Sequence, residues 1–118
     1  MDVGRHLIFA TPAMLRLLER AERWYLDGTF KAVRRPFTQL FSIHAFVKKG
    51  GKMKHVPLCF VVMSHRRKRD YRAVFKAVRS VLPSVAVKEV LSDFEAAVWR
   101  TFRNVFGDDV THRGCVFH

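Results

Sequence analysis

The feature that most restricts this chain is a change of hydrophobic period. Between Phe37 and Met63 apolar residues fall at every second position or run unbroken, whereas from Tyr71 to Leu82 they recur at helical spacing. A chain patterned in this way has to bury one face of a sheet against one stripe of a helix. Phe37, Phe41, Ile43, Ala45 and Val47 share one strand face. Val56 to Met63 (VPLCFVVM) is apolar on both faces, as a central strand is. Trp24 to Val33, rich in aromatic and β-branched residues, supplies a third extended run. The short links Arg34-Arg35-Pro36 and Lys48-Lys49-Gly50-Gly51-Lys52 favour an antiparallel meander.

Helices bracket this meander. Thr11 can cap a helix that opens with Pro12 and buries Met14, Leu15, Leu17, Leu18 and Ala21, so residues 1–23 read as an amphipathic helical segment packed on the core. Asp70 can cap a second helix with an apolar stripe of Tyr71, Val74, Phe75, Val78, Val81 and Leu82. Val85 to Leu91 reads as a fourth strand. Ser92 and Glu95 have capping-box spacing before a third helix that Gly107 closes, and Val110 to Phe117 reads as a short fifth strand. The fold class is therefore α/β, a mixed sheet made of a three-strand meander followed by α-β-α-β, with helices on its faces. Right-handed crossovers would lay the fourth strand beside the first and parallel to it. Asp27, in the first strand, and Asp93, at the C-terminal end of the fourth, would then meet at one end of the sheet.

Charge speaks to partners. The 118 residues carry 22 Lys and Arg against 10 Asp and Glu, a net charge of +12, which points to a polyanion such as DNA. Eleven Phe argue against disorder. No apolar run is long enough to cross a bilayer, so no membrane association is expected. Met1 to Arg5 lacks the layout of a secretory signal, and two cysteines are too few for a disulfide scaffold, so a reducing intracellular compartment is expected. His65-Arg66-Arg67-Lys68-Arg69 is the densest basic run, and Lys48, Lys49, Lys52 and Lys54 form a second cluster. Arg66, Arg67, Lys68 and Arg69 are read as phosphate contacts, as a nuclear localisation signal or as a solvated loop. With the second cluster they are expected to add salt-dependent, non-specific DNA affinity. His44, mid-strand among apolar residues, reads as a satisfied sheet-face histidine.

Several stretches together resemble one family. Trp24-Tyr25-Leu26-Asp27-Gly28-Thr29-Phe30-Lys31, Phe37-Thr38-Gln39-Leu40, Ile43-His44-Ala45, Val56-Pro57-Leu58, Tyr71 to Phe75, Ser92-Asp93-Phe94-Glu95-Ala96 and Gly114-Cys115-Val116-Phe117-His118 occur in the order seen in Mutator-like (MULE) transposase domains. The resemblance implies a ribonuclease H-like fold over residues 24–118, acidic-triad (DDE) chemistry on DNA and a nuclear location, with self-assembly on transposon ends. Asp27 matches the first catalytic, metal-binding aspartate and Asp93 the second. Cys115 and His118 match a C-x-x-H motif. The family's third acidic residue lies further downstream, beyond His118, so the domain is expected to be incomplete at its C-terminal side.

Carboxylates suit this chemistry because Mg²⁺ or Mn²⁺ prefers hard oxygen ligands, and two such ions stabilise both the attacking and the leaving oxygen of a phosphodiester exchange. Two carboxylates without a third would hold metal weakly, so these 118 residues alone are expected not to cleave DNA. Zinc is not expected at Cys115 and His118, since a closed site takes four ligands and nothing in the spacing requires His112 or Cys59 to complete it. Glu95 reads as a capping residue, not a ligand. The alternative is a non-catalytic DNA- or chromatin-binding module, or a relic, derived from such an enzyme.

Overall fold

The computed structural model describes residues 6–29, 35, 37–92, 94 and 96–114. The elements are β1 (His6–Phe9), α1 (Pro12–Arg20), β2 (Arg23–Thr29), β3 (Gln39–Lys49), β4 (Lys52–Met63), α2 (Lys68–Ser80), β5 (Glu89–Ser92), α3 (Ala96–Phe106) and β6 (Thr111–Gly114). They build a six-stranded mixed sheet in the order β1-β4-β3-β2-β5-β6.

The meander forms as its turns dictate. Gly50 and Gly51 adopt φ of 59° and 79°, so both tip residues of the β3–β4 hairpin are left-handed, a backbone that glycine adopts without steric cost. Ile43 faces Cys59 but His44 faces Pro57, so Leu58 is an inserted bulge residue, and Pro57 sits where the ladder is already interrupted. The bulge lets Leu58 and Cys59 both be buried. The Asp27–Gly28 pair makes no hairpin turn: β2 continues to Thr29 in register with Leu40.

Strand β5 lies beside β2 and parallel to it, with Tyr25 opposite Leu91, as the crossover rule requires. Strand β6 adds in parallel to β5. Residues 85–88 are irregular rather than strand; here Ala86 N–H donates to the Glu19 carbonyl and Lys88 N–H to that of Glu22. The expected extension of the last strand over 115–117 lies outside the described residues.

The periodicity of the first 23 residues missed β1. It pairs antiparallel with Phe60 to Met63, which explains why β4 is apolar on both faces although it ends the meander. Leu7, Ile8 and Phe9 remain exposed at this edge. In α1 the Thr11 hydroxyl accepts from Met14 N–H at 3.1 Å, the expected cap. Leu18 is buried but Leu17 is 43% exposed, because the turn of the helix carries it out of the stripe.

The helices share one face of the sheet. Trp24 points into that side, edge-on to Phe102 and Phe106 of α3 at 6.1 and 5.3 Å, and its indole N–H donates to the Leu18 carbonyl of α1 at 3.1 Å. Phe75 of α2 meets Phe41 of β3 and Phe102 of α3. Helix α2 begins two residues before the expected cap. Arg67 is the N-cap, and Asp70 occupies the third helical position, its carboxylate accepting from Arg67 N–H at 2.8 Å and Arg67 Nε at 2.9 Å. No helix among the described residues is long and apolar enough to cross a membrane.

Candidate functional site: the acidic end of the central strand

Asp27 stands near the C-terminal end of β2, the strand flanked by β3 and β5. Alternation fixes its direction. Trp24 and Leu26 enter the helix-covered core, so Tyr25 and Asp27 take the other face. Its half-buried carboxylate accepts the Gly28 N–H through Oδ1 at 3.0 Å. One such bond occupies a fraction of the lone-pair sites on a carboxylate, which leaves capacity for a cation.

Gly28 is required by a close approach. A Cβ there would collide with the side-chain oxygen of Gln39 and would lie 3.2 Å from the ring of Phe94. Gln39 is fully buried and donates through Nε2 to the Tyr71 hydroxyl at 3.1 Å and towards Met63 Sδ at 3.3 Å, so it has little room to move. Phe94 also packs on Phe41 and Tyr71, at 5.6 and 5.8 Å between ring centres. Asp93, Glu95, Cys115 and His118 lie outside the described residues. Among those described, no group of three His, Cys, Asp or Glu could hold a metal ion.

The surroundings of Asp27 were only partly visible in the sequence. Ser42 is its partner across the β2–β3 ladder, and the Ser42 hydroxyl pairs with His44 Nε2 at 2.8 Å. His44 is a sheet-face histidine, as expected. Burial pushes its imidazole pKa down, His55 pushes the same way, and the Asp27 charge opposes both. His44 stacks on His55 at 4.4 Å, His55 stacks on Phe46 at 5.4 Å, and the Arg23 guanidinium covers Phe46 at 4.9 Å. Period-two spacing identifies these residues as one strand face, but the pairing of His44 with His55 depends on the register set by the bulge.

The structure separates the two basic clusters. Lys48, Lys49 and Lys52 belong to the hairpin, about 20 Å along β3 from the partner of Asp27. Lys48, Lys52 and Lys54 are exposed, while the side chain of Lys49 lies outside the described residues. Arg66 to Arg69 follow the other end of β4, the end at which Asp27 lies, and all are exposed. They do not form one loop: Lys68 and Arg69 open α2, and Arg67 is engaged with Asp70. Asp70 has no exposed surface; burial pushes its carboxyl up, but the Arg67 hydrogen bonds and charge, with His6 at 3.3 Å, outweigh this and hold it below the usual carboxylate range.

One other expectation changes. Ser92 ends β5, with its hydroxyl 3.0 Å from His112 Nε2, and α3 begins only at Ala96. Cys59 cannot join a site with His112. It is buried on β4, four strands from β6, a distance of about 19 Å, and burial pushes its thiol up to about 11.

Comparison with known proteins returns no match among curated proteins and none among solved structures. A family model does match: that of the MULE transposase domain, over residues 23–118, from the first residue of β2 onwards. The chain, with its aspartate-bearing central strand and its α-β-α-β second half, therefore belongs to the MULE transposase domain family.

Proposed function

We propose that this chain is part of a DDE transposase core of ribonuclease H-like arrangement, which binds DNA and uses Asp27 and Asp93 to hold a divalent metal ion. The family membership supports transposase ancestry. A three-strand meander followed by α-β-α-β, with the fourth of these strands laid parallel beside the first, supports the arrangement.

One observation carries the site. Leu91 lies opposite Tyr25 in the parallel β2–β5 pair, and three residues further on the ring of Phe94 rests against Gly28. Both contacts support the reading that Asp93 works with Asp27 at this end of β2. Asp27 suits Mg²⁺ or Mn²⁺, being half-buried, turned away from the helices and with carboxylate oxygen to offer. Such an ion, when bound, supplies charge stabilisation for the attacking and leaving oxygens of a phosphodiester. The residues of this chain contribute placement. Asp27 is fixed by its strand and by the Gly28 N–H. Gly28, lacking a side chain, admits Gln39 and Phe94 beneath the site. Exposed Arg66 and Arg69, at the same end of the sheet, supply positive charge towards a phosphate backbone.

Calorimetric titration with Mn²⁺ tests this reading. Binding in the micromolar to millimolar range is expected, weakened at least tenfold by Asp27→Asn. Equal affinity in the variant sinks the metal site and leaves a DNA-binding module as the better reading. Supercoiled plasmid with Mg²⁺ is expected to stay intact with a polypeptide of these 118 residues; Asp27-dependent nicking would refute that expectation.

A further inference from the structure

The helix side of the molecule carries a cleft that the Asp27 site does not use. Lys68, at the start of α2, and Arg100, Arg103 and Asn104 of α3 line a depression of about 250 Å³, with Asp108 at its border. Among the described residues, three cations there face one carboxylate. Arg103 is anchored by a hydrogen bond from Nη2 to the Asp108 carbonyl at 3.2 Å. Its Nε–H is buried and has no acceptor among the described residues. The Asp108 carboxylate lies 3.6 Å from Nη2 and is 90% exposed, so it holds Arg103 weakly and can be displaced. The positive end of the α2 dipole adds to the charge at Lys68. Asp70, in the same turn, does not cancel it, being occupied by Arg67 and His6.

A ligand for such a cleft carries negative charge and several acceptor oxygens, because the walls offer guanidinium, ammonium and amide donors. A phosphate group has both properties. Lys68 also continues the exposed row Arg66 to Arg69, so the positive surface extends beyond what one free phosphate needs. We infer that the α2–α3 cleft binds a backbone phosphate of nucleic acid, as a contact separate from the carboxylate face. The identity of the polymer rests on the DNA-binding reading above; the phosphate chemistry of the cleft does not.

The test is fluorescence anisotropy with a labelled DNA duplex in EDTA buffer across 50–200 mM salt, comparing the parent chain with Arg100→Gln and Arg100→Gln/Arg103→Gln. Loss of one phosphate contact is expected to lower the slope of log affinity against log salt by about 0.9, and loss of two by about twice that. Because Arg103 also holds the loop that follows α3, the exposed Arg100→Gln alone decides the outcome: affinity and slope equal to the parent overturn the proposal. A second arm follows amide resonances during titration with inorganic phosphate. Shifts at Arg100 to Asn104 in a chain that binds no duplex would keep the phosphate site and overturn the nucleic-acid assignment. No shift with either probe overturns both.

Discussion

The helix-covered face of the sheet presents Trp24, Leu26, Phe41, Ile43 and Val61, none more than 1% exposed, while the opposite face presents Tyr25, Asp27, His44 and Phe46 half-buried and His55 exposed. The two sets alternate along the same strands, so backbone geometry cannot account for the difference. The covered face is filled by rings from α2 and α3, which meet Trp24 and Phe41 of the sheet edge-on. The other face keeps polar groups paired with one another, such as Ser42 with His44 and Arg23 with Glu89, and retains a carboxylate with spare lone pairs. One face supplies stability; the other carries the proposed site.

Substitutions on the two faces should therefore separate in magnitude. Phe102→Ala, which empties the junction of Trp24, Phe75 and Phe106, is expected to cost about 3–5 kcal/mol in denaturant unfolding; a loss below about 1 kcal/mol would mean that α3 is not packed as described. Asp70→Asn removes the charge-assisted bonds to Arg67 and His6, with an expected cost of about 2–3 kcal/mol at neutral pH. The sign of its pH dependence follows from the depressed carboxyl. The stabilisation is complete above the unfolded value near 4 and disappears as pH falls through the lower folded value. Stability curves of parent and variant should accordingly converge below about pH 4, and a constant gap there would contradict the assignment.

Gly28→Ala tests the boundary between the faces. Its new methyl group meets Gln39 and Phe94, for an expected cost of about 1–3 kcal/mol. Because the clash lies beneath Asp27, Mn²⁺ affinity should fall with stability, whereas Phe102→Ala should leave affinity unchanged in the folded fraction. The smallest effect is expected for Phe46→Ala, a half-buried ring on the other face, at under about 1.5 kcal/mol by thermal melting. A cost equal to that of Phe102→Ala would show both faces to be core.

Much of the architecture was legible because period and punctuation are local signals. The Gly50–Gly51 tip, the Thr11 cap and the Gly107 stop, where φ is 117°, were all readable from residue type. Strand β1 was not. Four residues, three of them exposed, bury too little to leave a pattern, and the strand exists because β4 offers it an edge. Asp70 was misread as a cap because its spacing from the apolar stripe suits either position; its pairing with Arg67 and His6 settled the matter. Of the candidate site, Asp27 and the role of Gly28 as part of a continuing strand were readable. The Ser42–His44–His55 surroundings and the meeting of Lys68 with Arg100 and Arg103 join residues distant in the chain, and spacing does not encode such meetings.

By itself the amino-acid order determined the alternation of strands and helices, the positive charge and the placement of an aspartate in an apolar strand, since each depends on residues within a turn or two of one another. Tertiary structure alone decided which face of that strand the described helices cover, which cations gathered beside α3 and which were tied to a buried carboxylate. Those outcomes depend on sheet register and helix packing, where one inserted residue such as Leu58 changes which side chains become neighbours.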